Sequence, residues 1–204
     1  MTNPMKAGLR TAGTLLGVLV MVGCAETPPS TFYTLSSLRT AGADVSSADD
    51  DGPAIGVGPI SLPKYVDRPQ IVMRASPNRL DLSEFDRWAE PLEEMFARVV
   101  AENLAVLMRT DRVFVLPRRR AGRVQRTVEV DITQFDTTLE GQTVLAGRWT
   151  VFGPNVTEPL ASYSTVITQP IGDPEDFEEV VATMSKAAEV LSRRIAETLR
   201  PGDA

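Results

Sequence analysis

The chain has 204 residues, 43% of them hydrophobic, and carries 21 basic against 27 acidic side chains for a net charge of −6. That length suits one domain with tails, and that apolar content excludes a polytopic membrane protein. The acidic balance argues against nucleic acid, whose binding rests on neutralising phosphates. The sequence contains no histidine and a single cysteine, Cys24. Ser-His-Asp catalysis, Cys-His catalysis and histidine-based metal sites are therefore excluded.

Residues 1–23 differ in kind from the rest. Lys6 and Arg10 form a basic start, and residues 11–22 are uncharged and mostly apolar. Twelve such residues are too few to span a bilayer, which takes about 20. They match the apolar region of a secretory signal peptide. Met21-Val22-Gly23-Cys24 resembles the bacterial lipobox, with methionine where leucine is usual. A lone cysteine in an exported chain calls for an explanation, and acylation of Cys24 after cleavage before it supplies one. Several acyl chains anchor firmly, since each buried CH₂ contributes about 0.8 kcal/mol. Ala25 is not aspartate, so the inner-membrane retention signal of enteric lipoproteins is absent, which points to the periplasmic face of the outer membrane. Loss of the leader removes two positive charges and no negative ones, making the mature chain more acidic still.

Residues 24–31 hold Pro28 and Pro29 and read as a lipidated tether. The domain then runs over residues 32–204. Phe32-Tyr33-Thr34-Leu35 is a first strand. Residues 39–54 hold Gly42, Gly52, serines and aspartates with almost no apolar residue, and Asp49, Asp50 and Asp51 lack the spaced ligands of a calcium loop. They read as a solvated loop. Ile55-Gly56-Val57-Gly58-Pro59-Ile60 alternates like a strand. Its glycines do not make a phosphate site, because Pro59 follows at once and no helix start is there. Residues 70–74 and 79–88 form a hairpin around Ser76-Pro77-Asn78.

Pro91 opens a long helix, with Leu92, Met95, Phe96, Val99, Val100, Leu104 and Leu107 on one face. Residues 112–116 give a short strand ended by Pro117. Arg118, Arg119, Arg120, Arg123 and Arg126 are a basic cluster, read as a solvated loop or as a contact for anionic headgroups. Residues 127–135, 142–152 and 160–168 form a meander, with Glu140-Gly141 at its first turn. A second helix follows, with Asp173 as N-cap and Pro174 as its first residue. Its face is Phe177, Val180, Val181, Met184, Ala188, Leu191, Ile195 and Leu199. The expected class is α+β: two layers, a mainly antiparallel sheet packed by two long helices.

No catalytic constellation emerges. The carboxylate pairs Glu84 with Asp86 and Glu93 with Glu94 are explained by solvation and helix-start charge. Neither a metal site nor a cofactor is expected.

Several blocks together resemble one family, the ABC-type transport auxiliary lipoproteins typified by paraquat-inducible protein C. They are Cys24, Phe32-Tyr33-Thr34-Leu35, Ile55-Gly56-Val57-Gly58-Pro59, residues 62–72 (LPKYVDRPQIV), residues 85–92 (FDRWAEPL) and Ala101-Glu102-Asn103-Leu104. The resemblance implies a non-catalytic lipoprotein subunit of an MCE (mammalian cell entry) transport system. Its partner would be an MCE-domain protein that conducts lipid across the periplasm, served by an inner-membrane permease and ATPase. A second copy of the chain is a further candidate partner. The alternatives are a structural or envelope-stress lipoprotein without transport partner, and a hydrolase using carboxylates alone.

Lys64, Tyr65, Asp67, Arg68, Arg87 and Trp88 are the candidate partner interface, since Arg and Trp are favoured anchors. The alternative for these residues is internal: Asp67 paired with Arg87, and Trp88 in the core.

Overall fold

The computed structural model describes residues 28–42, 52–117, 124–154 and 156–200. The leader, Cys24, the aspartate triplet and most of the arginine cluster lie outside the described residues. Eight strands and two helices follow in the order β1 (Thr31–Tyr33), β2 (Ile55–Ser61), β3 (Gln70–Ser76), β4 (Arg79–Trp88), α1 (Leu92–Met108), β5 (Val113–Val115), β6 (Arg126–Thr138), β7 (Gln142–Phe152), β8 (Pro159–Pro170) and α2 (Phe177–Leu199).

All eight strands join one sheet, and β6 is its spine. Along one side β6 pairs throughout with β7, which pairs in turn with β8, both antiparallel. Along its other side it takes two partners in succession, both parallel: β2 over its first half and β3 at Thr137 and Thr138. Outside these lie β5 beside β2, parallel, and β4 beside β3, antiparallel, with β1 parallel to β4 at the rim. The α+β class holds, and the longest ladders are antiparallel. The sheet is nevertheless mixed, because strands far apart in sequence meet in parallel.

Gly141 has a positive φ of 83°, which suits the β6–β7 turn that sequence placed there. Gly58 has φ 127°, and a Cβ there would stand 2.9 Å from the Leu116 carbonyl oxygen. That glycine belongs to the close approach of β2 to the end of β5.

The helices pack against each other and against the sheet. Leu92, Met95, Phe96, Val99, Val100 and Leu104 are buried, as the helical spacing predicts, and Leu107 packs partly buried beside them. Phe96 meets Phe135 of β6 edge to face at 5.2 Å. On α2, Val180, Val181, Met184, Ala188, Leu191, Ile195 and Leu199 are buried. Trp149 of β7 stacks on Tyr163 of β8 and donates to the Thr198 hydroxyl at 3.3 Å.

The start of α2 differs from expectation. Asp176 is the N-cap, its carboxylate accepting from the Glu178 amide at 2.9 Å. Asp173 instead closes an earlier turn onto the Glu175 amide. The Glu179 carboxylate takes the amides of Gly172 and Asp173 at 2.7 and 3.0 Å, so that turn is held outside the helix.

Residues 34–38 form a strap that sequence did not reveal. It leaves β1 and runs to the two helices, which receive its amides on side chains. Leu35 N–H points at the Met95 sulfur (3.1 Å), Ser36 N–H at the Ser185 hydroxyl (3.0 Å) and Leu38 N–H at the Asn103 carbonyl (2.7 Å). Asn103 in turn donates to Ser192, so one fully buried amide ties strap, α1 and α2 together.

Val99 is 1% exposed in the middle of this core. Val99→Asp places an unpaired carboxylate there, at a cost of several kcal/mol against a domain stability of about 5–15 kcal/mol. Circular dichroism of the purified variant is expected to show no cooperative melt. An unchanged melting temperature overturns the assignment of α1 to the core.

Candidate partner-docking surface

Four of the six candidate interface residues, Lys64, Tyr65, Asp67 and Arg68, come from the loop between β2 and β3. Two, Arg87 and Trp88, come from the end of β4, just before α1. Pro63 turns the loop back, its carbonyl accepting from Val66 (3.0 Å) and Asp67 (3.3 Å). Val66 is buried at the loop's centre. The Pro69 carbonyl accepts from the Trp88 amide at 2.8 Å, so the loop's exit is sewn to the end of β4.

Asp67 caps α1. Pro91 stands at the N-cap position and makes no side-chain cap hydrogen bond. The Glu93 amide is instead satisfied by the Asp67 carboxylate at 3.2 Å. An aspartate at a helix start also faces the positive end of the dipole. The second Asp67 oxygen pairs with the Lys64 ammonium at 3.2 Å, and Glu93 lies 3.6 Å from the same ammonium. The hydrogen bond to Asp67 raises the Lys64 pKa above the ordinary lysine value. Glu93 also accepts from the Leu62 amide at 3.3 Å. Asp67 does not pair with Arg87. The Arg87 guanidinium reaches back to the Glu84 carbonyl instead.

Tyr65 points inward. Its hydroxyl donates to the Asp136 carboxylate at 2.6 Å. Asp136, on β6, is fully buried and also accepts from Arg74 (2.7 Å) and Gln134 (2.9 Å). Arg74 additionally donates to the Tyr65 oxygen and lies over its ring. Burial, and then the neighbouring carboxylate, push the Tyr65 pKa up to about 12. A carboxylate with no access to water persists because Arg74 and two further donors surround it. Sequence reasoning missed this network. Its one sequence signal was an arginine directly after the apolar run Ile71-Val72-Met73; Asp136, after Thr133-Gln134-Phe135, gives none.

What faces solvent is a groove of about 370 Å³ between the loop and the start of α1, with Arg68 and Pro69 on one wall and Glu90 and Pro91 on the other. Trp88 lines it while being only 5% exposed, so its ring serves the core and the groove together. Arg68 is exposed and contacts Gln70; Glu90 pairs with Arg98. The carboxylate pairs named from sequence serve structure. Asp86 accepts from Tyr33 and Ser83, while Glu93 serves Lys64 and Leu62. Among the described residues, no group of acidic or cysteine side chains is placed to hold a metal ion, and no helix is long and apolar enough to cross a membrane.

Comparison with known proteins decides the family. The model of the ABC-type transport auxiliary lipoprotein component matches residues 33–196. The chain belongs to that family. Among curated relatives of this family member, the intermembrane transport lipoprotein PqiC of Escherichia coli K12 is 21% identical over 134 residues, which cover 66% of this chain and 70% of PqiC. The crystal structure of protein XCC0632 from Xanthomonas campestris superposes with a TM-score of 0.63 at 16% identity, covering 81% of this chain and 92% of that one. A crystal structure of an uncharacterized protein gives 0.68 at 16% identity, over 85% of this chain and 100% of the other. Those two likenesses establish a shared fold. The family is one of transport auxiliary components rather than enzymes.

The Tyr65 hydroxyl gives a pH test. Its folded pKa is raised, so its contribution is complete below pH 10 and is lost as pH rises from 10 towards 12. Tyr65→Phe is expected to cost about 1 kcal/mol at neutral pH. In urea titrations the gap between wild type and variant should narrow across that window. A gap that stays constant to pH 12 places the hydroxyl elsewhere.

Proposed function

We propose that this lipoprotein is anchored through Cys24 at the periplasmic face of the outer membrane and docks an MCE-domain protein there. That partner conducts lipid across the periplasm and is driven by an inner-membrane permease and ATPase. The observation that carries the reading is the meeting of the two most distinctive family blocks. Residues 62–72 and 85–92 come from separate stretches of chain, and they close on each other through Pro69 and Trp88, while Asp67 caps the helix at Glu93, one residue beyond the second block. They leave Arg68 exposed on the groove wall, and Lys64 exposed elsewhere on the same loop, which Pro63, Val66 and Tyr65 hold. A prefixed loop loses little entropy on binding, which favours it as a docking element.

Lys64 and Arg68 are the residues to change, because Tyr65 holds the fold. Lys64→Ala with Arg68→Ala should weaken capture of the cognate MCE protein by about tenfold, the size of one lost anchor pair, while the melting temperature stays put. Unchanged capture would make this loop purely structural. Failure of the wild-type lipoprotein, displayed on a membrane, to bind any MCE protein would replace docking with the structural-lipoprotein reading.

The anchor is tested separately. Cys24→Ser should accumulate as an uncleaved precursor. A mature, unacylated chain beginning elsewhere, seen by intact mass, would sink the anchor assignment.

A further inference from the structure

The chain joins the sheet at the rim formed by β1. Thr31, the first residue of that strand, follows Cys24 by seven positions. Seven residues span at most about 25 Å, less than the roughly 40 Å breadth of a domain this size. A lipid anchor on Cys24 therefore holds this rim close to the bilayer. The opposite rim, β8, is reached from β1 through β4, β3, β6 and β7. Five strand spacings put it about 24 Å away.

The side chains of the β1 rim fall into two sets. Tyr33 and Trp88 stand opposite each other across β1 and β4, and both turn into the core. Phe32 and Arg87 are the adjacent opposite pair, so they share the other face. Arg87 is also opposite Gln70 of β3, and Val72, two residues on, is opposite Leu82. Residues two apart on a strand share a face. Phe32, Leu82 and Arg87 thus lie together on the face that turns away from the helices. Phe32 is 63% exposed there and Leu82 46%. Among the described residues Arg87 forms no ion pair, and its guanidinium rests on the Glu84 carbonyl.

We propose that this face of β1 and β4 sits on the phospholipid surface, with Phe32 and Leu82 entering the headgroup region and Arg87 meeting lipid phosphates. Aromatic and aliphatic side chains gain by leaving water at that boundary. A guanidinium matches a phosphate with two parallel hydrogen bonds. The short tether selects this occupant, because it delivers the β1 rim to the bilayer. A contact too weak to hold alone suffices once the anchor raises its effective concentration. Glu84 is exposed close by and opposes a dense anionic surface. Insertion therefore rests on the two apolar side chains, and Arg87 supplies the polar contact. Arg68 hydrogen-bonds Gln70 and so lies just past Arg87. The groove that Arg68 lines thus stands beside the membrane. This inference rests on the acylation of Cys24 and not on the docking role.

The test uses the full lipoprotein in vesicles of phosphatidylethanolamine and phosphatidylglycerol. Acylation consumes the Cys24 thiol, so a cysteine introduced elsewhere is the one thiol that takes a dye. Phe32→Cys and Leu82→Cys, each carrying an environment-sensitive fluorophore, should be quenched by nitroxide-bearing lipids about threefold more than Val166→Cys. Val166 is the control because it is 66% exposed on the opposite rim. Arg87→Glu should cut the quenching at Leu82→Cys by about half, and no change removes Arg87 from the contact. Equal quenching at all three positions overturns the proposal. So does no quenching at 32 and 82 in a chain whose intact mass shows the acyl groups, a result that leaves the anchor standing. A dye at 32 that is shielded from water without nitroxide quenching makes this face a protein contact and overturns the proposal too. A chain without acyl groups removes the anchor and this inference together.

Discussion

The helix that fills the core cannot cap itself, and much of the domain follows from that. Pro91 fixes the entry angle of α1 but offers no side-chain acceptor. Asp67, from a loop 26 residues earlier, supplies it. A helix start left unsatisfied against a buried core is costly, so the β2–β3 loop must return to α1 at this point. The loop after β2 and the segment that opens α1 are thus two halves of one joint. Neither has its structural meaning without the other.

The same loop is pinned a second time, from below. Tyr65 reaches Asp136 on the spine strand while Val66 sinks into the core. On either side of these inward residues, Lys64 and Arg68 are turned out. The loop therefore presents two cations on a backbone that has no freedom to follow them. Rigidity at the surface comes from a buried polar network and a helix cap rather than from secondary structure.

Local pattern made much of this legible. The apolar stripes of both helices, the hairpin around Pro77, the turn at Gly141 and the strand-ending prolines were all readable, because spacing and turn chemistry act over a few residues. Three things were not. The parallel pairing of β1, β2, β3 and β5 depends on which distant strands meet. The cap of α2 shifted from Asp173 to Asp176 because the Glu179 side chain captured the preceding amides. The inward turn of Tyr65 depended on a carboxylate 71 residues away. A tyrosine between lysine and aspartate gives no local sign that it faces a buried partner. The segment that sequence named as a candidate docking surface is divided by the structure into residues that face out and residues that hold.

The strap after β1 has a mechanical meaning. β1 lies parallel to β4 over three register pairs, and residues 35–38 then hand successive amides to Met95, Ser185 and Asn103. A pull on the chain from before Thr31 meets the β1–β4 ladder first. Should β1 yield, the pull passes to the strap, whose amides are seated on two different helices. The N-terminal end of the domain is therefore attached twice in succession, first to the sheet and then to both helices.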